Sequence, residues 1–204
     1  MVDHIEIDNI KFDCIDPTEL RLASFRLARK IYNDGFIPTH LIVLWRGGTP
    51  VGLNVHEYFE YKLRKDYPDE DDKSKRKVDH IAIRTSSYEG LQKLDGISVH
   101  GLNYIVKNAN KPDRILIVDD IFDSGRTVKT VIDHIKSAMR LNTPDDIRVA
   151  TLFYKEENRT VDFEPNYFEF NTSCWVDFPH ELKGLTDNQI LMLKGKDVYD
   201  ILIS

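Results

Sequence analysis

Ile115-Leu116-Ile117-Val118-Asp119-Asp120-Ile121-Phe122-Asp123-Ser124-Gly125-Arg126-Thr127-Val128 changes character three times within fourteen residues. Four apolar, largely β-branched residues have the make-up of a buried strand. Two acids follow, then a polar loop with one glycine, then a segment in which Val128, Ile132, Ile135 and Met139 recur at helical spacing. A strand that turns through a short loop into a helix is the repeating unit of a parallel sheet. In such sheets ligands sit beyond the carboxyl ends of the strands, so the loop is the place to look for chemistry. Its amides, the helix start and the hydroxyls of Ser124 and Thr127 suit a phosphate, and Gly125 permits close backbone approach. Asp119 and Asp120 would repel a phosphate laid against them. They suit ribose hydroxyls or a metal-bound sugar beside it.

Working outward, the same unit recurs upstream. Residues 41–45 are an apolar run bounded by Arg46-Gly47-Gly48, and Val51, Val55, Phe59 and Leu63 resume helical spacing. Before it, Asp16-Pro17-Thr18-Glu19 opens a helix with a capping residue, a proline at the first position and an acid placed to complete a capping box. Leu20, Ala23, Leu27 and Ile31 share its apolar face, and Gly35 ends it. Strands are expected at 78–84, 147–154, 167–170 and 175–178, and a second capping box at Thr186 and Gln189. Residues 64–77 carry four consecutive acids and then a basic run, the composition of a solvated connection. Residues 85–96 form a polar, glycine-containing stretch expected to be a functional loop. The alternation predicts an α/β fold: a mostly parallel twisted sheet with helices on both faces.

Composition bounds the partners. Lys and Arg number 28 against 34 Asp and Glu, a formal net charge of −6, so the bulk attraction that broad nucleic-acid surfaces depend on is missing. No apolar run reaches membrane length and no secretory leader is expected, which points to a cytoplasmic protein. Cys14 and Cys174 cannot build a disulfide framework or a CxxC clamp and are expected as reduced, buried thiols. The histidines show no paired ligand spacing, so no zinc site is expected.

The strand, acid pair, glycine loop and helix, in that order, resemble the phosphoribosyl-pyrophosphate-binding signature of type I phosphoribosyltransferases. Three rivals explain less. Residues 119–123 resemble the metal-binding acids of isoprenoid synthases, but that motif rides on a long helix. A Walker-type loop needs Gly-Lys-Ser/Thr, which is absent. Receiver domains place acids at strand ends but leave Ser124-Gly125-Arg126-Thr127 without a task. Elsewhere, Trp45-Arg46-Gly47-Gly48 is similar to the family's pyrophosphate loop, which implies substrate contacts from Trp45, Gly47 and Gly48, a catalytic Arg46 and a cis peptide before Arg46. Ser87 and Tyr88 are similar to the catalytic loop of purine members. Lys155, followed twenty residues later by Trp175-Val176-Asp177-Phe178-Pro179-His180-Glu181, resembles the base pocket of 6-oxopurine enzymes. Singly, a snorkelling Lys155 or a core Trp175 would be the better reading. Their joint spacing behind the loop reverses that.

The resemblance covers about residues 20–182. It implies one domain over residues 1–204, with a small hood over the base site formed by about 1–15 and 156–204. It implies Asp123 as the acid facing the purine N7, Lys155 as donor to the exocyclic oxygen, Trp175 as stacking platform and the Val176 backbone as reader of the base edge. Ser124, Gly125, Arg126 and Thr127 would hold the phosphate. Asp119, Asp120 and Glu181 would hold Mg²⁺, with His180 departing from the tryptophan expected before the acid. The implied reaction joins a phosphoribosyl group to hypoxanthine, guanine or xanthine in a homo-oligomer, dimer or tetramer. The alternative is a non-catalytic regulator of the same fold that binds nucleotide or RNA.

Overall fold

The computed structural model describes residues 2–68, 77–87 and 97–204. A hairpin opens the chain: β1 (Val2–Ile7) and β2 (Ile10–Ile15) are joined through Asp8 and Asn9, both at positive φ. Helix α1 (Pro17–Asn33) starts where expected, with the Asp16 carboxylate accepting from the amides of Thr18 and Glu19 at 2.7 and 3.0 Å. Glu19, expected to close a capping box, instead accepts from Arg26 Nη2 at 2.7 Å. Gly35 follows in the left-handed region at φ +79°.

The central sheet then builds up from β3 (His40–Trp45), β4 (Asp79–Ser87), β5 (Ile97–His100), β6 (Arg114–Phe122), β7 (Asp146–Tyr154) and β8 (Tyr167–Asn171) in the spatial order 5-4-3-6-7-8. Every pair is parallel except β4 with β5. Helices α2 (Gly48–Asp66), α3 (Asn103–Asn108) and α4 (Arg126–Met139) connect the strands. After β9 (Trp175–Asp177), the helices α5 (Asp187–Lys194) and α6 (Lys196–Ile203) close the chain. Strand β9 leaves the central sheet and pairs in parallel with β2, making a second, three-stranded sheet with the hairpin.

Alternation within the strands assigns each side chain to a face. Leu41 and Val43 of β3, with Leu116 and Val118 of β6, pack against Leu27, Ile31, Val55 and Phe59 of α1 and α2. Ile42, Leu44, Ile115 and Ile117 point the other way, onto Ile105, Val128, Val131 and Ile135 of α3 and α4. The sheet is therefore buried on both sides, as continuous apolar strands require. On α4 it is Val131, rather than the expected Ile132, that is fully buried.

Several details differ from the sequence expectation. Strand β6 runs on through Asp119 and Asp120 to Phe122, because its pairing with β7 continues to Phe122 opposite Tyr154. Strand β4 takes in residues 85–87, which pair with β5, so the expected loop starts later. Both cysteines are free, as expected, but partly exposed rather than buried. Of the charged connection 64–77, α2 takes the residues up to Asp66, and 69–76 lie outside the described residues, as do 88–96 of the expected loop.

Gly52 sets how closely α2 lies on β3, since a Cβ there would stand 2.4 Å from Val43 Cγ2. Gly52→Ala is expected to lower unfolding stability by roughly 1–3 kcal/mol through overpacking, measured by urea denaturation. A neutral or stabilising outcome would mean that α2 is free to slide on the sheet.

Candidate active site

The carboxyl ends of β3, β4 and β6 open into a cleft of about 430 Å³ lined by Trp45, Arg46, Gly47, Arg84, Thr85, Asp120, His180, Glu181 and Lys183. The cleft follows from a register difference. Pairing of β6 with β3 stops at Val43 opposite Val118, whereas pairing with β7 continues four residues further. Past Val118 one side of β6 is left to the loop after β3, and the two acids stand there.

That loop fits only without side chains. A Cβ on Gly47 would lie 1.8 Å from Asp120 Oδ2, and one on Gly48 would lie 2.8 Å from the Val118 carbonyl oxygen. The Trp45-Arg46 peptide is cis, as expected. Trp45 stands half exposed on the cleft wall. Asp119 Oδ1 accepts from the Asp120 amide at 3.0 Å, and Asp120 Oδ1 from the Ile121 amide at 2.9 Å, so each acid satisfies the next backbone amide. Burial, and then the neighbouring Asp120, raise the Asp119 carboxyl well above the usual carboxylate range. Burial raises Asp120 as well, against the pull of its hydrogen bonds and of His180.

Beyond Phe122 the polypeptide turns at Gly125, φ +79°, into α4. A Cβ there would meet Phe122 Cζ and Val161 Cγ2 at 2.5 Å. Ser124 Oγ accepts from the Arg126 amide at 3.4 Å, and Arg126 and Thr127 begin the helix. The segment after β7 braces this turn. Thr160 donates to the Ser124 carbonyl from its amide at 3.0 Å and from its hydroxyl at 3.1 Å, and Asn158 Nδ2 donates to Asp123 Oδ1 at 2.8 Å. Lys155, its amide bonded to the Phe122 carbonyl at 2.9 Å, sets its ammonium 3.9 Å from Asp123 Oδ2. The same nitrogen lies 5.9 Å from the Trp175 ring centroid. Trp175 is 52% exposed, whereas Val176 beside it is buried against β2. The structure thus brings Asp123, Lys155 and Trp175 together, and separately Trp45, Arg46, Gly47, Asp120 and Glu181.

Glu181 and His180 enter from the turn after β9. Burial, then Asp120, raises the Glu181 carboxyl, while Arg46 and Lys194 oppose. Burial lowers the His180 imidazole, which stacks on Phe178 with ring centroids 5.6 Å apart. Ser87 is the last residue of β4, with its side chain outside the described residues, and Tyr88 lies outside them altogether. Two cleft residues escape the sequence reading. Arg84 directly follows an apolar strand run, the same signal that singles out Arg46. Lys183 reaches the cleft through the fold of residues 178–183 and has no such signal.

Among the described residues, no three His, Cys, Asp or Glu side chains close into a cation cage. Asp120 and Glu181 on the cleft wall, with Asp119 adjoining Asp120, nonetheless suit a hard divalent ion. Mg²⁺ characteristically takes one or two carboxylates and completes its shell with water and substrate phosphates.

With this geometry in view, comparison with known proteins gives a class. The family model for the phosphoribosyl transferase domain matches residues 20–185, and the chain belongs to that family. It is 27% identical over 183 residues to phosphoribosyltransferase domain-containing protein 1 of Homo sapiens, covering 86% of this chain and 76% of that protein. It is 29% identical over 128 residues to the hypoxanthine-guanine phosphoribosyltransferase of Streptococcus mutans, covering 60% of this chain and 65% of the relative. In fold it is similar to the purine phosphoribosyltransferase from Pyrococcus horikoshii Ot3, with TM-score 0.61 and 23% identity over 86% of this chain and 97% of that one. No helix among the described residues is long and apolar enough to cross a membrane.

Proposed function

We propose that the protein transfers a 5-phosphoribosyl group from phosphoribosyl pyrophosphate to a 6-oxopurine, releasing pyrophosphate and a purine nucleoside monophosphate, in the cytoplasm. The observation that supports this reading is the junction of β3 and β6, where a glycine loop with Arg46 lies directly on Asp120 while the adjoining turn brings Ser124, Arg126 and Thr127 to the start of α4, whose N-cap glycine offers no side-chain cap. Breaking the bond at the anomeric carbon puts positive charge on the sugar and negative charge on the departing pyrophosphate. The site therefore has mainly to orient reactants and stabilise charge.

Arg46, Arg84 and Lys183 supply three cations around the cleft for the pyrophosphate oxygens. Asp119 and Asp120 hold the ribose hydroxyls and, with Glu181, Mg²⁺; the bound ion would neutralise charge on the leaving group. Ser124, Gly125, Arg126 and Thr127 hold the 5′-phosphate at the start of α4. Trp175 stacks on the purine, the Val176 backbone reads its edge, and Lys155 donates to the 6-oxygen. Asp123, held on one oxygen by the Asn158 amide, faces N7 as base or hydrogen-bond acceptor. Residues 1–15 and the stretch after 156 supply the hood. Part of that stretch, β8, lies in the central sheet, while β9 lies with the hairpin.

A panel of purine and pyrimidine bases with phosphoribosyl pyrophosphate and Mg²⁺, followed by nucleotide and pyrophosphate release, tests the proposal. Turnover is expected with hypoxanthine, guanine or xanthine and not with pyrimidines. Nucleotide binding without transfer to any base would move the protein to the regulator class. Sedimentation of the same preparation tests the dimer or tetramer.

A further inference from the structure

The C-terminal helices lie beyond the family match, which ends at residue 185, yet one of their side chains reaches into the site's supporting structure. Lys194, the last residue of α5, turns its side chain inward until it is 4% exposed, against an Asp177 carboxylate 6% exposed, at 2.6 Å. Nζ makes a second bond, to the Phe178 carbonyl, also at 2.6 Å. That carbonyl accepts the Glu181 amide as well, at 3.0 Å. One buried ammonium therefore grips the strand that carries Trp175 and Val176 and, through a shared carbonyl, the turn that carries His180 and Glu181. Stability alone is a poor reason for such a pair, because desolvating two charges costs about as much as their attraction returns, and apolar residues of similar volume do as well or better.

We propose that Lys194 is a positioning residue for the cleft: its bond to the Phe178 carbonyl sets where Val176 meets the base and where Glu181 meets the pyrophosphate side. This deepens the transferase reading above and rests on it. The ammonium does two separable things. It neutralises Asp177, which serves the fold, and it fixes the 178–181 turn, which serves the reaction.

Lys194→Met combined with Asp177→Asn separates the two. With both charges gone, no buried charge is left uncompensated, so the melting temperature is expected close to that of the wild type. The Phe178 carbonyl keeps the Glu181 amide but has lost the ammonium that fixes it from the other side, and kcat/KM is expected to fall about 10- to 100-fold, as when residues that orient first-contact groups are removed. The loss should appear in KM for the base more than in kcat. Lys194→Arg, which keeps charge and donors, is expected to recover most of it. A double variant with wild-type kcat/KM would reduce Lys194 to a counter-ion and overturn the proposal. So would an Arg variant that folds but is as impaired as the double. A double variant unable to fold would make the pair a requirement of the fold, which also overturns it. Wild-type turnover reports separately on the transferase reading. If the wild type turns over no base, calorimetric binding of GMP and of magnesium phosphoribosyl pyrophosphate to the same proteins supplies the wild-type to variant ratio.

Discussion

Asp119→Asn with Asp120→Asn is expected to reduce transfer activity on the order of 10³-fold, while the melting temperature at neutral pH stays level or rises. The two outcomes share one cause. Each acid spends one oxygen on the next backbone amide of β6, and an asparagine carbonyl can accept there in the same way. What the substitution removes is charge, the property on which a ribose or a divalent ion would draw. Burial raises both carboxyls, so the folded state holds their protons more tightly than the unfolded chain does. Groups of that kind favour folding below the ordinary carboxylate value and lose that contribution as pH rises through the raised one. Above that window the acids are a burden to the fold, and Asn relieves it. Kinetics and thermal unfolding of the double variant across pH 4 to 8, on the order of the carboxylate range and its upward extension, check both halves. Retained activity would remove the acids from the site, and a steep fall in melting temperature would make them part of the fold.

The second large effect concerns the choice of base. An ammonium can only donate, so in the proposed base pocket Lys155 would complement the 6-oxygen of hypoxanthine or guanine and oppose the 6-amino group of adenine. Its nitrogen is also 3.9 Å from Asp123 Oδ2 and 5.9 Å from the Trp175 ring centroid, so it would border both the N7 and the stacking side of a purine held as proposed. Sites built around one buried hydrogen bond discriminate by roughly 10⁴-fold, because the wrong partner leaves a polar group unpaired. Lys155→Gln, whose amide both donates and accepts, is expected to lower kcat/KM for hypoxanthine about 10²- to 10³-fold and to change any residual adenine turnover much less. The ratio of the two constants before and after substitution is the measurement. An unchanged ratio would place Lys155 outside the base pocket.

Much of this arrangement is legible in the order of residue types. Continuous apolar runs at 41–45 and 115–118 announce strands buried on both faces, and the residues directly after them line the cleft. Strand ends are harder to read, because pairing and not composition decides where a strand stops. Asp119 and Asp120 look like the start of a loop, yet β7 carries β6 past them. The hairpin at the N-terminus had a local signal in Asp8 and Asn9, whose tolerance of positive φ suits a two-residue turn. Long-range partners have no local signal. Nothing near Asp123 in sequence points to Asn158, 35 residues on, and nothing near Asp177 points to Lys194.

The brace between the two loops has a thermodynamic side. Asn158, Thr160 and Val161 meet Asp123, Ser124 and Gly125 through three hydrogen bonds and one contact that excludes even a methyl group. The residues that would grip a sugar phosphate and those that would grip a base are thus ordered as one body. A ligand that further restrained one set would lower the entropy still to be lost by the other, and any such coupling would be reciprocal. Any such coupling would have to pass through the seam between these two short segments, whose contacts are in place before a ligand arrives.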